Sequence, residues 1–222
     1  MMSRYEQVKA ANPHLTIYST HDVEFKRYGK LITTETKEIC EATLQSLEMP
    51  ETGVIYVPAL EAIDNIPWAA KLREDNCGGL DEQVGVCYGH SNQLNALEWH
   101  TCAEFNVGVT DMVLLLAKRE DLDDENHMSS DAVKAFYVHQ GDMIEVFSDT
   151  LHYCPCAVSK DGFISIVGLQ RGTNYPLADE SKKGLLRATN KWLIAHEKNE
   201  ALVKSGAYVG ISGENWKINA VD

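Results

Sequence analysis

Long apolar runs are missing from this chain. No stretch approaches the roughly 20 residues needed to cross a bilayer, and the opening MMSRYEQVKAANPH has no apolar core of the kind a secretory signal carries. A cytoplasmic protein is expected. Basic charge is scarce too: 20 Lys and Arg stand against 33 Asp and Glu, for a formal net charge of -13. That balance argues against a phosphate backbone or an anionic lipid surface as partner, so neither nucleic acid nor membrane is expected. Cysteine is sparse and irregular, with six residues at positions 40, 77, 87, 102, 154 and 156. Cys154 and Cys156 form C-x-C rather than C-x-x-C, which matches neither a thioredoxin-like redox motif nor a zinc ribbon. Reduced, structural thiols are expected. No Ser/Gly/Pro-rich linker, internal repeat or low-complexity tract divides the 222 residues, which predicts one domain over 1–222.

What is present falls into three stretches. In the first, over 1–82, an α/β extension is expected. TTETKEICEATLQSL places Cys40, Leu44 and Leu47 at helical spacing and predicts a helix over 35–48, ended by Met49-Pro50. GVIYVPAL then predicts a strand, and Pro58 marks it as an edge or an end. From 83 to 170 short β-rich runs recur (QVGVCYG, LNALEWH, DMVLLLAK, KAFYVHQ, MIEVF, GFISIVGLQ) between Gly, Asp, Asn and Ser clusters, which predicts a core sandwich or barrel rather than an alternating βαβ sheet. The acidic run between 119 and 132 lacks the glycine and terminal glutamate of a calcium loop and is expected to be a solvated loop. Over 171–222 a helical extension is expected. Leu185, Leu186, Thr189, Trp192, Leu193 and His196 form an apolar stripe that predicts a helix near 180–204 on the barrel exterior, with His196 at its edge in a packing role.

The chemistry concentrates in ALEWHTCAE, residues 96–104. On a strand, Glu98 and His100 share a face while Leu97 and Trp99 take the other. Buried together, a carboxylate and an imidazole need a partner, and a metal ion is one solution. Downstream, GDMIEVFSDTLHYCPC runs from a turn glycine, Gly141, through a strand to His152. The two stretches resemble the paired motifs of the cupin superfamily. Glu98, His100 and Glu104 fall on the spacing of the first motif, with glutamate in place of its first histidine, and Gly141 and His152 fall on the glycine and histidine of the second. Phe147, Asp149 and Cys156 depart from the second motif's proline, turn glycine and asparagine. The chain as a whole is similar to an uncharacterised bacterial cupin-type family of like length, and FKRYGKLI is loosely similar to the start of ureidoglycolate lyases. The resemblance implies a mainly β fold, a cupin-type double-stranded β-helix (jelly-roll) barrel with flanking N- and C-terminal helices. It also implies one divalent metal ion held by Glu98, His100, Glu104 and His152. Two histidines with one or two carboxylates suit Mn, Zn, Fe, Ni or Co. For Glu98 the alternative is a carboxylate that holds a histidine or a substrate hydroxyl instead of the ion.

Further candidates carry an ordinary reading beside the functional one. Glu98 and Glu145 are candidate catalytic carboxylates, though for Glu145 the favoured reading is an outward salt bridge. Tyr137 and His139 share a strand face that points either into the barrel, as catalytic groups, or outside it. His90, Arg171 and Asn174 are candidate substrate-binding residues; the alternatives are a solvated turn histidine and a turn shaped by Gly172 and Pro176. Three functions are consistent with such a site: an isomerase or epimerase on a sugar or sugar derivative, a lyase or hydrolase on a small polar acid such as ureidoglycolate, and a metabolite-binding protein without catalysis. A small polar molecule is the expected substrate, and exposed sheet edges lead to an expected homodimer.

Overall fold

The computed structural model describes residues 2–182 and 184–222. In chain order its strands are β1 Ile17–Ser19, β2 Gly29–Ile32, β3 Val54–Val57, β4 Glu82–Gly89, β5 Ala96–Trp99, β6 Glu104–Gly108, β7 Met112–Lys118 and β8 Met128–Ser129. Then come β9 Lys134–Val138, β10 Met143–Val146, β11 Thr150–Leu151, β12 Cys156–Ala157, β13 Phe163–Gln170, β14 Leu186–Ala188, β15 Lys191–His196 and β16 Tyr208–Ser212. The helices are α1 Arg4–Ala11, α2 Lys37–Ser46, α3 Glu61–Asp64, α4 Pro67–Asp75 and α5 Glu200–Lys204. Among the described residues no helix is long and apolar enough to cross a membrane.

One sheet runs β1-β9-β7-β11, with β12 also on β7, and a second runs β2-β10-β6-β13-β4-β3. The chain crosses between them from β6 to β7, from β9 to β10 to β11, and from β12 to β13: β6 pairs with β10 and β13 in one sheet, while β7 pairs with β9, β11 and β12 in the other, all antiparallel. That winding makes a mainly β, cupin-type jelly-roll barrel. Period-two alternation sorts the side chains into layers. Leu114, Leu116, Phe136, Val138, Ile144, Val146, Phe163 and Val167 fill the space between the sheets. Val84, Val86, Phe105, Val107, Ile164 and Ile166 face the other way, against Ile39 of α2 and Leu72 of α4. Val113, Leu115 and Tyr137 pack with Val8 of α1 and Ile194 of β15.

The helix expected over 35–48 is α2, and the strand before Pro58 is β3, which pairs with β4 at the edge of its sheet. Two expectations are corrected. The N-terminal third is not merely packed outside the barrel, because β1, β2 and β3 each extend one of its sheets. The helix expected near 180–204 does not form: strands β14 and β15 occupy its centre, and only Glu200–Lys204 is α-helical; Lys183 lies outside the described residues. The reason is burial from both sides. β15 pairs with β5 and β16, Ile194 packs on one face with Val113 and Leu115, and Leu193 and Ala195 pack on the other with Ala96 and Ala207, so a short apolar run is buried on both faces and satisfies strand and helix periods alike. β5 accordingly belongs to a third sheet, β14-β15-β16-β8 with β5 on β15, and not to the barrel walls.

A charged cluster sits where β13 ends beside the start of β4. Asp64 pairs with Arg73 and, at 3.0 Å, with Arg171, and its Oδ1 accepts the Val84 amide at 2.8 Å. Both guanidiniums also reach the Glu82 carbonyl, at 2.7 and 3.1 Å. The Glu82 carboxylate is buried, and its Oε2 has no hydrogen-bond partner among the described residues. Burial and the neighbouring Asp81 push this carboxyl from 4.5 up to about 7, against the pull of Arg73 and Arg171. Because the folded-state value is raised, the stability tied to the neutral acid is full below about 4.5 and is lost as pH rises through about 7. Glu82→Gln is therefore expected to stabilise the protein at pH 8 by up to about 3 kcal/mol and to have little effect at pH 4.5. Urea unfolding at the two pH values checks this, and an equal effect at both contradicts it.

Candidate metal centre

β5 and the segment after β11 are joined by a reciprocal backbone pair. Glu98 N donates to His152 O at 2.6 Å and His152 N donates to Glu98 O at 3.0 Å. The two distant motifs are thereby set side by side. Glu104 opens β6 on its inner face, since Phe105 and Val107 occupy the outer one. Glu98, His100, Glu104 and His152 are all buried.

Their donor atoms converge. One atom each from Glu98, His100 and His152 lies within 4.8 Å of the others. His100 Nε2 is 3.8 Å from Glu98 Oε1 and 3.6 Å from Glu104 Oε2, and His152 Nε2 is 3.2 Å from Glu104 Oε2. Backbone carbonyls fix both rings. His100 Nδ1 donates to Asn190 O at 2.7 Å and His152 Nδ1 donates to Thr150 O at 3.1 Å, which turns each Nε2 toward the carboxylates. Asn190 also anchors the start of the turn, its Oδ1 accepting the Thr101 amide at 3.0 Å. His100 Nε2 is buried without a hydrogen-bond partner among the described residues. Glu104 Oε1 accepts from Asn106 at 3.0 Å, and Asn106 Oδ1 accepts the Ser165 hydroxyl at 3.0 Å. Burial opposes ionisation of Glu104, but His152 and His100 outweigh it and hold the carboxyl far below its usual range. Burial would likewise lower His152, yet the Glu104 and Glu98 carboxylates push it up to about 9.

A cavity of about 800 Å³ opens onto Glu98, Glu104 and His152. His90 and Asn174 line it. His90 Nε2 is bonded to the Pro50 carbonyl at 3.0 Å, and Asn174 Nδ2 donates to the Tyr56 hydroxyl at 3.1 Å. The other expected residues do not line it. Tyr137 is fully buried on the outer face of the first sheet, because Phe136 and Val138 take the inner positions of β9. His139 shares the outer face and meets the Ser19 hydroxyl at 3.0 Å. Glu145 alternates with the inward Ile144 and Val146 and pairs with Lys30 at 2.8 Å, and Arg171 is taken up by Asp64 and Asp81. Reading the sequence missed Asn106, which period-two alternation from Glu104 places on the same face, and Tyr56, Cys87, Cys154 and Lys191. Cys87 and Cys154 lie 4.0 Å apart sulfur to sulfur; that contact, with burial, pushes the Cys87 thiol up, and all six cysteines are free. Lys191 pairs with Glu98 Oε2 and could not be found while its segment read as helix.

A cupin-type barrel with a buried His/Glu cluster is the class that fold and site define. Residues 17–216 match the family described as a domain of unknown function, DUF4867, and the chain belongs to that family. No curated protein matches it. Among solved structures it is similar to a point mutant of Bacillus subtilis oxalate decarboxylase, at 11% identity and a TM-score of 0.31 over 44% of this chain and 24% of that one. The same enzyme at pH 4.6 gives 11% identity and 0.31 over 44% and 23%. An oxalate decarboxylase structure concerned with substrate binding mode gives 10% and 0.33 over 56% and 27%. This chain thus spans about a quarter of the length of these structures. Likeness at that level carries nothing about substrate or reaction, and neither it nor the family match bears on the loose similarity to ureidoglycolate lyases.

Trp99 separates packing from ligand chemistry. Its ring, on the face opposite Glu98 and His100, stacks on Trp192 with centroids 6.3 Å apart and planes 10° apart, under the Arg119 guanidinium. Trp99→Ala is expected to cost about 3–5 kcal/mol of stability and to leave the divalent-ion stoichiometry of the folded protein unchanged. Chemical denaturation with metal analysis of the folded fraction reads both, and loss of metal at retained stability contradicts the separation.

Proposed function

We propose that this protein is a divalent-metal-dependent enzyme that moves a proton on a small oxygen-rich substrate, an isomerase or epimerase acting on a sugar or sugar derivative. The observation that carries the reading is the buried His100 Nε2 without a hydrogen-bond partner, aimed at two carboxylates by a ring whose other nitrogen is already committed to Asn190 O. Such an atom is costly unless a ligand meets it. The donor spacings of 3.2 to 3.8 Å in the cluster also fit, since two donors at about 2.1 Å from one ion and at right angles lie about 3 Å apart.

Glu98, His100, Glu104 and His152 would hold the ion, which is of the Mn, Zn, Fe, Ni or Co group. When bound it supplies Lewis-acid polarisation of a substrate carbonyl. The chain's own groups do the rest. Glu104 is fixed by Asn106 and sits between the two imidazoles, so its role is to hold. Glu98 directs Oε1 toward His100 and Oε2 toward Lys191, and we assign the proton transfer to Oε2. The Tyr56 hydroxyl accepts from Asn174, which leaves its own hydrogen to donate to a substrate oxygen. Burial pushes that phenol up, keeping it a neutral donor.

Each of His100→Ala and His152→Ala is expected to lose bound metal together with any proton exchange. Glu98→Gln should fold and retain metal at reduced affinity while exchange falls by about 100-fold or more. The measurement is metal stoichiometry of the purified variants, followed by proton NMR of aldoses, ketoses and ureido acids in deuterated water. Full metal occupancy in His152→Ala sinks the proposal.

A further inference from the structure

Lys191 is the only lysine or arginine among the described residues lining the cavity. It stands at the start of β15, immediately after Asn190, whose carbonyl fixes His100. Its side chain is 18% exposed, and the ammonium meets Glu98 Oε2 with the Tyr153 ring 5.8 Å below it. An ammonium has three N–H donors, and one carboxylate oxygen does not use them all.

Charge decides what the remaining donors are for. With both imidazoles neutral as ligands, the groups that face the cavity carry two negative charges, on buried Glu98 and Glu104, and one positive charge, on the half-buried Lys191. A divalent ion bound by neutral imidazoles brings the loaded site to one net positive charge. Uncompensated charge in a buried site is expensive, and a neutral sugar would leave it so. We propose that Lys191 is a substrate-anchoring residue and that the substrate is a small hydroxy or keto acid, a sugar acid included, whose single carboxylate meets the Lys191 ammonium. This rests on the metal-dependent reading above and narrows it. The carboxylate balances the site, the Tyr56 hydroxyl supplies a second donor, and a cavity of about 800 Å³ accommodates a six-carbon acid.

The test uses gluconate and glucose as probes, titrated calorimetrically into the metal-loaded protein and into Lys191→Met and Lys191→Arg loaded with the same ion. Gluconate is expected to bind the wild type at least about tenfold more tightly than glucose, the worth of a charge-assisted hydrogen bond in a partly buried site. Lys191→Met should lose about tenfold in gluconate affinity with glucose affinity within about threefold and metal stoichiometry unchanged, and Lys191→Arg should recover most of the loss. A gluconate preference undiminished in Lys191→Met, or tighter binding of glucose than gluconate by the wild type, overturns the assignment of Lys191 while leaving the metal reading intact. Failure of the wild type to take up any divalent ion, seen before a probe is added, overturns the metal reading and this inference with it.

Discussion

The reciprocal hydrogen bonds between the backbones of Glu98 and His152 are what the rest of the site depends on. They bring together two positions 54 residues apart in the sequence at the one place where β5, itself part of the C-terminal sheet, touches the segment that leaves the barrel after β11. Backbone pairing of this kind is insensitive to side-chain identity, so it fixes where the side chains start before their chemistry matters. His100 and Glu104 are carried to the same point by the short connection from β5 into β6.

From that fixed origin, backbone carbonyls set the ring orientations. Asn190 O and Thr150 O each consume an Nδ1 donor, so both Nε2 atoms face the carboxylates. Asn190 holds its position in the left-handed region, with φ 54°, a conformation that asparagine tolerates better than most residues, and its own side chain ties down Thr101 and Thr173. The C-terminal sheet therefore does more than cover the barrel: it orients one imidazole, supplies Lys191, and stacks Trp192 on Trp99 behind the site. Without an ion the cluster is stabilised internally, Glu104 against His152 and Glu98 against Lys191.

Much of this was readable in the sequence, and the reasons differ by element. The barrel strands were legible because short, near-continuous apolar runs such as MVLLLAK and FISIVGLQ, bounded by turn residues, are how strands covered on both faces read. Glu98, His100, Glu104 and His152 were legible from spacing, and the structure brings all four to one point. Tyr137, His139 and Glu145 stayed open between the pocket and the barrel exterior, where the structure puts them, because alternation gives the face but not which face is inside. Arg171 was misplaced for another reason: its partners Asp64 and Asp81 are more than 80 residues away in the chain, and only the pairing of β13 with β4 reveals them. The segment around Trp192 defeated a period argument outright, since a strand buried on both sides carries no alternation, and Lys191 was lost with it.

The central claim is that two imidazoles and the flanking carboxylates, not the neighbouring thiols, hold a divalent ion. Cys87 and Cys154 line the same cavity 4.0 Å apart and are the rival donor set. X-ray absorption at the metal edge of zinc-loaded protein tests it most directly. The account predicts a coordination shell of nitrogen and oxygen at about 2.0–2.2 Å with the multiple-scattering signature of two imidazoles; a sulfur shell at about 2.3 Å, or a shell without imidazole, would contradict it.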